Sequence, residues 1–364
     1  MKRVCTHCQR ISPEGNLWCQ NRGCPSGTLT VVFDYGEHLG DIEIIRLLRV
    51  FRMSAIYEAK RGKDLILLKV AHDGCQDQLR RESMTLAKLV DDRQHPMLPV
   101  LLPAYQYAEG KQRPYGKTVF QDETKYYVTF GHAKGEFLSD ILVQNPQPWY
   151  QHAAWLTVSL ADAILFLHLK GGRLHLNINP DHVLVRFDKQ GIPRPLLLDL
   201  GMVAEPNAVN MAWIKDYAIP AYTAPELLET NGNAGVAADV YGLGILLYEM
   251  LAGHPAFRYK LQKADDVRRA VRSTNPPPLN RSDLAEDITA IVYQAIDKTP
   301  SRRQTDTKTF AKQLRVKFGE VPVEKKRHWY DPLRDRRTAA VGLFSALVLV
   351  VIVLLSALLS GGIQ

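Results

Sequence analysis

Residues 339–359 read AAVGLFSALVLVVIVLLSALL, an uncharged apolar run of 21 residues near the C-terminal end of a 364-residue chain. As a helix rising about 1.5 Å per residue it would reach roughly 30 Å, the thickness of a bilayer's hydrocarbon core. A buried core helix of that composition needs protein on every side, and five residues follow it. We therefore expect a membrane span over 338–360. Residues 325–337 carry six basic and two acidic side chains, so about half of the formal charge of +8 lies just before the apolar run. That placement predicts a cytoplasmic N-terminal part and accounts for the basicity without nucleic acid. The opening MKRVCTHCQR lacks the apolar core of a signal peptide. The expected arrangement is single-pass and tail-anchored.

Four of the five cysteines, Cys5, Cys8, Cys19 and Cys24, fall in the pattern C-x2-C-x10-C-x4-C. Two short pairs can fold back as knuckles and present four thiolates tetrahedrally, which suits structural Zn²⁺. A cytoplasmic compartment disfavours disulfides. Residues 1–28 resemble a zinc ribbon whose second knuckle is longer than usual. Cys75 stands alone and reads as ordinary packing.

Beyond the cysteines, TLTVVFDY is β-rich, and EIIRLLRVFRMSAIYEAKRGKDLILLKVA divides into strands around the turn KRGKD. Helical spacing then dominates DQLRRESMTLAKLV, PWYQHAAWLTVSLADAILFLHLK, VYGLGILLYEMLAG and SDLAEDITAIVYQAI. Residues 319–337 are polar and charged and read as a basic linker.

From about residue 41 to 318 the order of landmarks resembles a Ser/Thr-type protein kinase. LILLKVA matches the third strand with its lysine at Lys69, and RRESMTLAKL matches helix C with its glutamate at Glu82. YYVTFGHAKGEFLSDIL resembles the hinge, with Phe130 as gatekeeper and Ala133 at the adenine edge; Leu184 follows in the same nucleotide-binding set. LHLNINPDHVLV stands for the catalytic loop, LLLDLGM for the magnesium motif with Asp199, and AADVYGLGILLYEMLAGHPAF carries Asp239. The resemblance implies an α+β, bilobal fold: a β-rich N-lobe over 41–133 and an α-rich C-lobe over 134–318, with the ribbon and one transmembrane helix added.

Phosphoryl transfer depends on positioning and charge: a lysine on the phosphates, metal ligands beneath them and a carboxylate toward the acceptor hydroxyl. Lys69, Glu82 and Asp199 match the first two requirements, although a lysine and a glutamate between strand and helix also make an ordinary ion pair. Where the family reads H-R-D-x-K-P-x-N, this chain reads His175, Leu176, Asn177, Ile178, Asn179, Pro180, Asp181, His182. The base position is thus the neutral amide of Asn177, and the phosphate-steadying lysine is Asn179. The second magnesium position is His182, a nitrogen donor ill suited to an oxygen-seeking ion. In the substrate-docking segment Ile219 stands where a threonine is usual. Against L-G-x-G-x-x-G-x-V-Y, Arg49, Phe51 and Ser54 occupy the three glycine positions, and Leu67 replaces a small alanine against the adenine. ATP and Mg²⁺ binding is expected to be impaired.

These readings imply a membrane-tethered pseudokinase that binds protein partners. The competing reading is a slow Ser/Thr kinase that uses Lys69, Glu82 and Asp199 with another base. Asp181, four positions past Asn177, sits where the family's residue faces away from substrate. A ribbon that binds nucleic acid is disfavoured, because residues 1–28 hold only scattered arginines. The clamp arginine of H-R-D is Leu176, and residues 202–219 contain no serine or threonine. Phosphosite mapping of natively purified protein should accordingly find no stoichiometric modification there; finding one would show a phosphorylation-set activation segment.

Overall fold

The computed structural model describes residues 2–12, 16, 18–24, 28–89, 95–105, 113–229 and 234–324. The expected span over 338–360 and the linker from 325 onward lie outside the described residues. Residues 2–321 form one compact unit.

Strands β1 (Lys2–Cys5), β2 (Ile11–Ser12) and β3 (Leu29–Val32) make a small antiparallel sheet in the order β2-β1-β3. The β-rich TLTVV stretch thus closes the sheet that holds the cysteines. A second sheet, ordered β4-β5-β6-β7-β9-β8, is built from β4 (His38–Leu39), β5 (Ile42–Val50), β6 (Ser54–Arg61), β7 (Asp64–Ala71), β8 (Gly116–Phe120) and β9 (Glu123–Gly131). Helix α1 (Gln76–Leu89) enters between β7 and β8 and buries Leu79, Glu82 and Leu86. The turn between β8 and β9 is Gln121-Asp122, both at positive φ (50° and 63°), and it offers no glycine or asparagine to announce a hairpin.

The second lobe opens with β10 (Glu136–Phe137) and α2 (Leu138–Gln144), and then α3 (Tyr150–Phe166) runs through its core. The helix over Tyr150–Gly171 is apolar and long enough to cross a membrane, but about two thirds of it is buried within the protein. Strands β11 (Val183–Phe187) and β12 (Pro193–Leu197) pair behind β10, and α4 (Met211–Tyr217), α5 (Val236–Ala252), α6 (Ala264–Ser273), α7 (Glu286–Ala295) and α8 (Thr307–Phe318) complete the lobe. Helix α5 is buried along nearly its whole length. At Gly244 a Cβ would meet that of Ala295 at 2.7 Å, so glycine is what lets α5 and the end of α7 approach.

One buried carboxylate ties this core to the loop that carries Asn177. Asp239, 1% exposed, accepts from the backbone N–H groups of His175 and Leu176 and lies on His168 Nε2, each at 2.8 Å. Leu176 sits at φ 66°, a conformation a leucine adopts only when its surroundings impose it. Burial opposes the charge on Asp239, but His168 and these N–H groups hold its pKa below the ordinary value. Replacing Asp239 by alanine leaves two buried N–H groups unpaired. We expect Asp239→Ala to lower the unfolding free energy by about 3 kcal/mol or more, read from urea unfolding.

Candidate functional site

Lys69 points from β7 toward α1 and meets two carboxylates, Glu82 Oε2 and Asp199 Oδ1, each 2.5 Å from its Nζ. None of the three is more than 2% exposed. Burial opposes the charge on Lys69, yet the two carboxylates raise its pKa above the ordinary value. Burial pushes Glu82 up to about 7 against the pull of Lys69. Asp199 is also opposed by burial, but the Lys69 ammonium draws it well below the usual carboxylate range. Leu200 N–H donates to Glu82 Oε1 at 3.1 Å, which fixes the glutamate from the magnesium-motif side.

The catalytic loop is closed on itself. Asn179 Nδ2 donates to Asn177 O at 3.0 Å and to its Oδ1 at 3.3 Å, while Asn179 Oδ1 accepts from Asp181 N–H at 3.1 Å. His182 Nδ1 lies 3.0 Å from both Asn177 O and Asn179 Nδ2. The other ring nitrogen of His182 approaches Asp199 Oδ2 at 3.3 Å without the alignment of a hydrogen bond. Burial lowers the pKa of His182, so it faces Asp199 as a neutral ring. At the family's two magnesium-ligand positions, Asp199 Oδ2 is the carboxylate oxygen not bonded to Lys69, and the second position offers an imidazole. The residues present do not fit a magnesium site in this arrangement.

The former glycine positions fill the cleft. Phe51, 3% exposed, places its ring 5.0 Å from the His182 ring and 6.3 Å from Phe137, and Lys69 Nζ sits 5.5 Å from its centroid. A phenyl ring thus lies over the Lys69 ammonium. Arg49 reaches across to the other lobe, pairing with Asp140 on α2 and lying 3.7 Å from Asp181, with its guanidinium 4.5 Å over Phe137. Asp181 thus has an arginine guanidinium for a neighbour. On the adenine side Leu67, Phe130 and Leu184 are buried, Leu67 pairs with Phe130 in register, and Ala133 is half-buried. Ile219 is buried and its carbonyl accepts from Thr223 Oγ1 at 2.9 Å.

At the other end of the unit, the Sγ atoms of Cys5, Cys8, Cys19 and Cys24 all lie within 4.8 Å of one another, with Cys5–Cys24 and Cys8–Cys19 each at 3.6 Å. Tetrahedral ligands about 2.3 Å from a zinc ion stand a little under 4 Å apart, so this donor set fits Zn²⁺. His7 N–H lies 3.4 Å from Cys5 Sγ, as in a knuckle turn. Cys75 is buried away from this cluster.

Spacing and resemblance thus located Lys69, Glu82, Asp199, the loop asparagines and the four thiols, and the structure brings each set together. The entry of Phe51 into the cleft, the reach of Arg49 and the approach of His182 to Asp199 were not read from sequence. Bulky residues at glycine positions were the one available signal.

A family model described as the protein kinase domain matches residues 116–315. This chain belongs to the protein kinase family. Protein kinase domains in general use ATP and Mg²⁺. Its relatives include CBL-interacting serine/threonine-protein kinase 21 of Arabidopsis thaliana, 28% identical over 253 residues that cover 65% of this chain and 55% of that protein. Serine/threonine-protein kinase PkaA of Streptomyces coelicolor is 29% identical over 165 residues, covering 45% and 29% respectively. The chain therefore spans about half, or less, of the length of these curated relatives. Among solved structures, the kinase domain of PknI from Mycobacterium tuberculosis superposes with a TM-score of 0.55 at 19% identity, covering 79% of this chain and 99% of that one. That likeness supports the bilobal kinase fold.

Lys69 is a buried charge paired with two carboxylates. Lys69→Met would leave Glu82 and Asp199 buried without a cation, and we expect it to lower the unfolding free energy by about 3–5 kcal/mol in chemical denaturation. A lysine open to water and kept for a nucleotide would lose less than about 1 kcal/mol.

Proposed function

We propose that this kinase domain is a pseudokinase, a protein-interaction module that neither binds ATP in its ground state nor transfers phosphate. The observation that carries this reading is Phe51: at a position where the family has a phosphate-loop glycine, its buried ring lies over Lys69 and against His182. Asn177 in place of the base carboxylate and the poor magnesium donor set point the same way. The kinase fold then serves as a rigid surface for protein partners, a use the fold itself does not dictate.

The cysteine cluster is read as a structural zinc site, supported by its spacing and by the closeness of its four sulfurs. The uncharged run at 339–359, preceded by basic residues, supports a single membrane span with the kinase domain in the cytoplasm.

The second reading is a weakly active Ser/Thr kinase. It is favoured by one observation, that Lys69, Glu82 and Asp199 are all retained and in contact.

Calorimetric titration of ATP into the full-length protein in detergent micelles, with and without Mg²⁺, separates the two. We expect no binding at millimolar ATP, no transfer of labelled phosphate to a generic acceptor, and stoichiometric zinc in the same preparation. Mg²⁺-dependent binding together with phosphotransfer that Asp199→Ala abolishes would establish the kinase reading instead.

A further inference from the structure

We infer that the four-cysteine module is an intramolecular latch on the cleft: it holds the segment that carries Phe51 into the nucleotide position, and loss of its metal frees that segment. The inference rests on the pseudokinase reading for what the segment blocks and on the zinc reading for what the metal does.

The module grips the backbone before the Phe51 side chain directly and the backbone after it through His72. Gln9 stands in the first knuckle at φ 58°. Its Nε2–H donates to Val50 O at 2.6 Å and its Oε1 accepts from Val50 N–H at 3.2 Å. One side-chain amide thereby satisfies both peptide groups of the residue before Phe51, as a neighbouring strand would. The carbonyl of Phe51 itself is held by His72 Nε2 at 3.0 Å, and His72 Nδ1 lies 2.9 Å from the hydroxyl of Thr30 on β3. Burial keeps His72 neutral, with its pKa lowered to about 4. A neutral ring with its proton on Nε2 donates to Phe51 and accepts from Thr30, so the two bonds require the same tautomer.

The module also reaches the second lobe. Gly23, in the second knuckle, lies so close to Leu261 that a Cβ there would meet Leu261 Cδ1 at 3.3 Å. Arg52 donates to Ala218 O at 3.3 Å and has its other terminal nitrogen 3.5 Å from His7 Nδ1. The module therefore has neighbours in both lobes.

Three strands of four, two and four residues cannot bury a core of their own. In a segment so small, metal binding and folding are one equilibrium, and the positive-φ turn that presents Gln9 exists only while the knuckle does. Removing the ion would withdraw Gln9 and leave residues 49–54 with one flank.

The test is amide hydrogen exchange of residues 49–54 in the full-length protein in micelles, comparing wild type, EDTA-stripped wild type, Gln9→Met and Thr30→Val, each with its metal content measured. Methionine keeps the length of Gln9 and removes both hydrogen bonds. We expect exchange over 49–54 to rise at least about tenfold in Gln9→Met with metal retained, and at least as much on stripping, while α5 is unchanged. Wild-type exchange rates in stripped protein, or in a metal-bearing Gln9→Met, would overturn the latch. Should Gln9→Met lose its metal, metal-bearing Thr30→Val decides in the same way. Protein that carries no metal as purified would overturn the zinc arm alone, and ATP binding by wild type would overturn the pseudokinase reading alone.

Discussion

The ammonium of Lys69 and its two carboxylates share a space from which water is excluded, and the side chains around them answer to that exclusion. Each charge loses several kcal/mol of hydration on burial, and only close, well-bonded partners offset the loss. The cluster is supplied with them: Leu200 N–H on Glu82, Gly201 N–H at 3.4 Å from Asp199 Oδ1, and Leu198 O at 3.4 Å from Lys69 Nζ. Two carboxylates against one ammonium still leave an excess negative charge. Burial eases it by raising the Glu82 carboxyl above its ordinary pKa, against the pull of Lys69. Phe51 completes the enclosure. Its ring gains from the cation beneath it, and the ion contacts gain from the water the ring keeps out.

Viewed from that cluster, the changes in the catalytic loop form one set. A carboxylate at position 177 would bring a third buried negative charge toward a site already short of cations. The amides of Asn177 and Asn179 instead bond to each other, and a neutral His182 fills the gap beside Asp199. Each replacement exchanges a charge or a metal ligand for a group satisfied by its neighbours. The loop keeps its shape because Asp239 holds the backbone at His175 and Leu176, a contact independent of the reactive positions.

Much of this was legible in the residues, and the limits have physical reasons. Lys69, Glu82, Asp199 and Asp239 were recognisable because a fixed order of short motifs specifies where strands and helices meet. The thiol cluster was recognisable because knuckle spacing is local geometry. Missing glycines indicated that the backbone could not approach phosphates, but not that a phenyl ring would turn inward. That outcome depends on Phe137 and His182, which are distant in sequence. Arg49 finds Asp140 across 91 residues, and no periodicity signals such a pair. Nor did the β-rich stretch after the cysteines reveal that β3 belongs to their sheet, since strand character does not name a strand's partner.

Alternation along one strand explains how the two modules share the loop. Successive side chains of an extended segment face opposite sides. Arg49 and Phe51 take the cleft side, where both lie against Phe137. Val50 takes the other and packs into the apolar cluster that also contains Val4 and Val32 of the cysteine module. A flexible glycine loop needs neither face satisfied, because its work is to move against phosphates. A loop written as Arg-Val-Phe-Arg has one face committed to closing the cleft and the other to a support outside it. Bulky side chains at Arg49 and Phe51 and a support at Val50 on the opposite face thus belong to one arrangement, since side chains of that size keep their place only on a backbone held firmly.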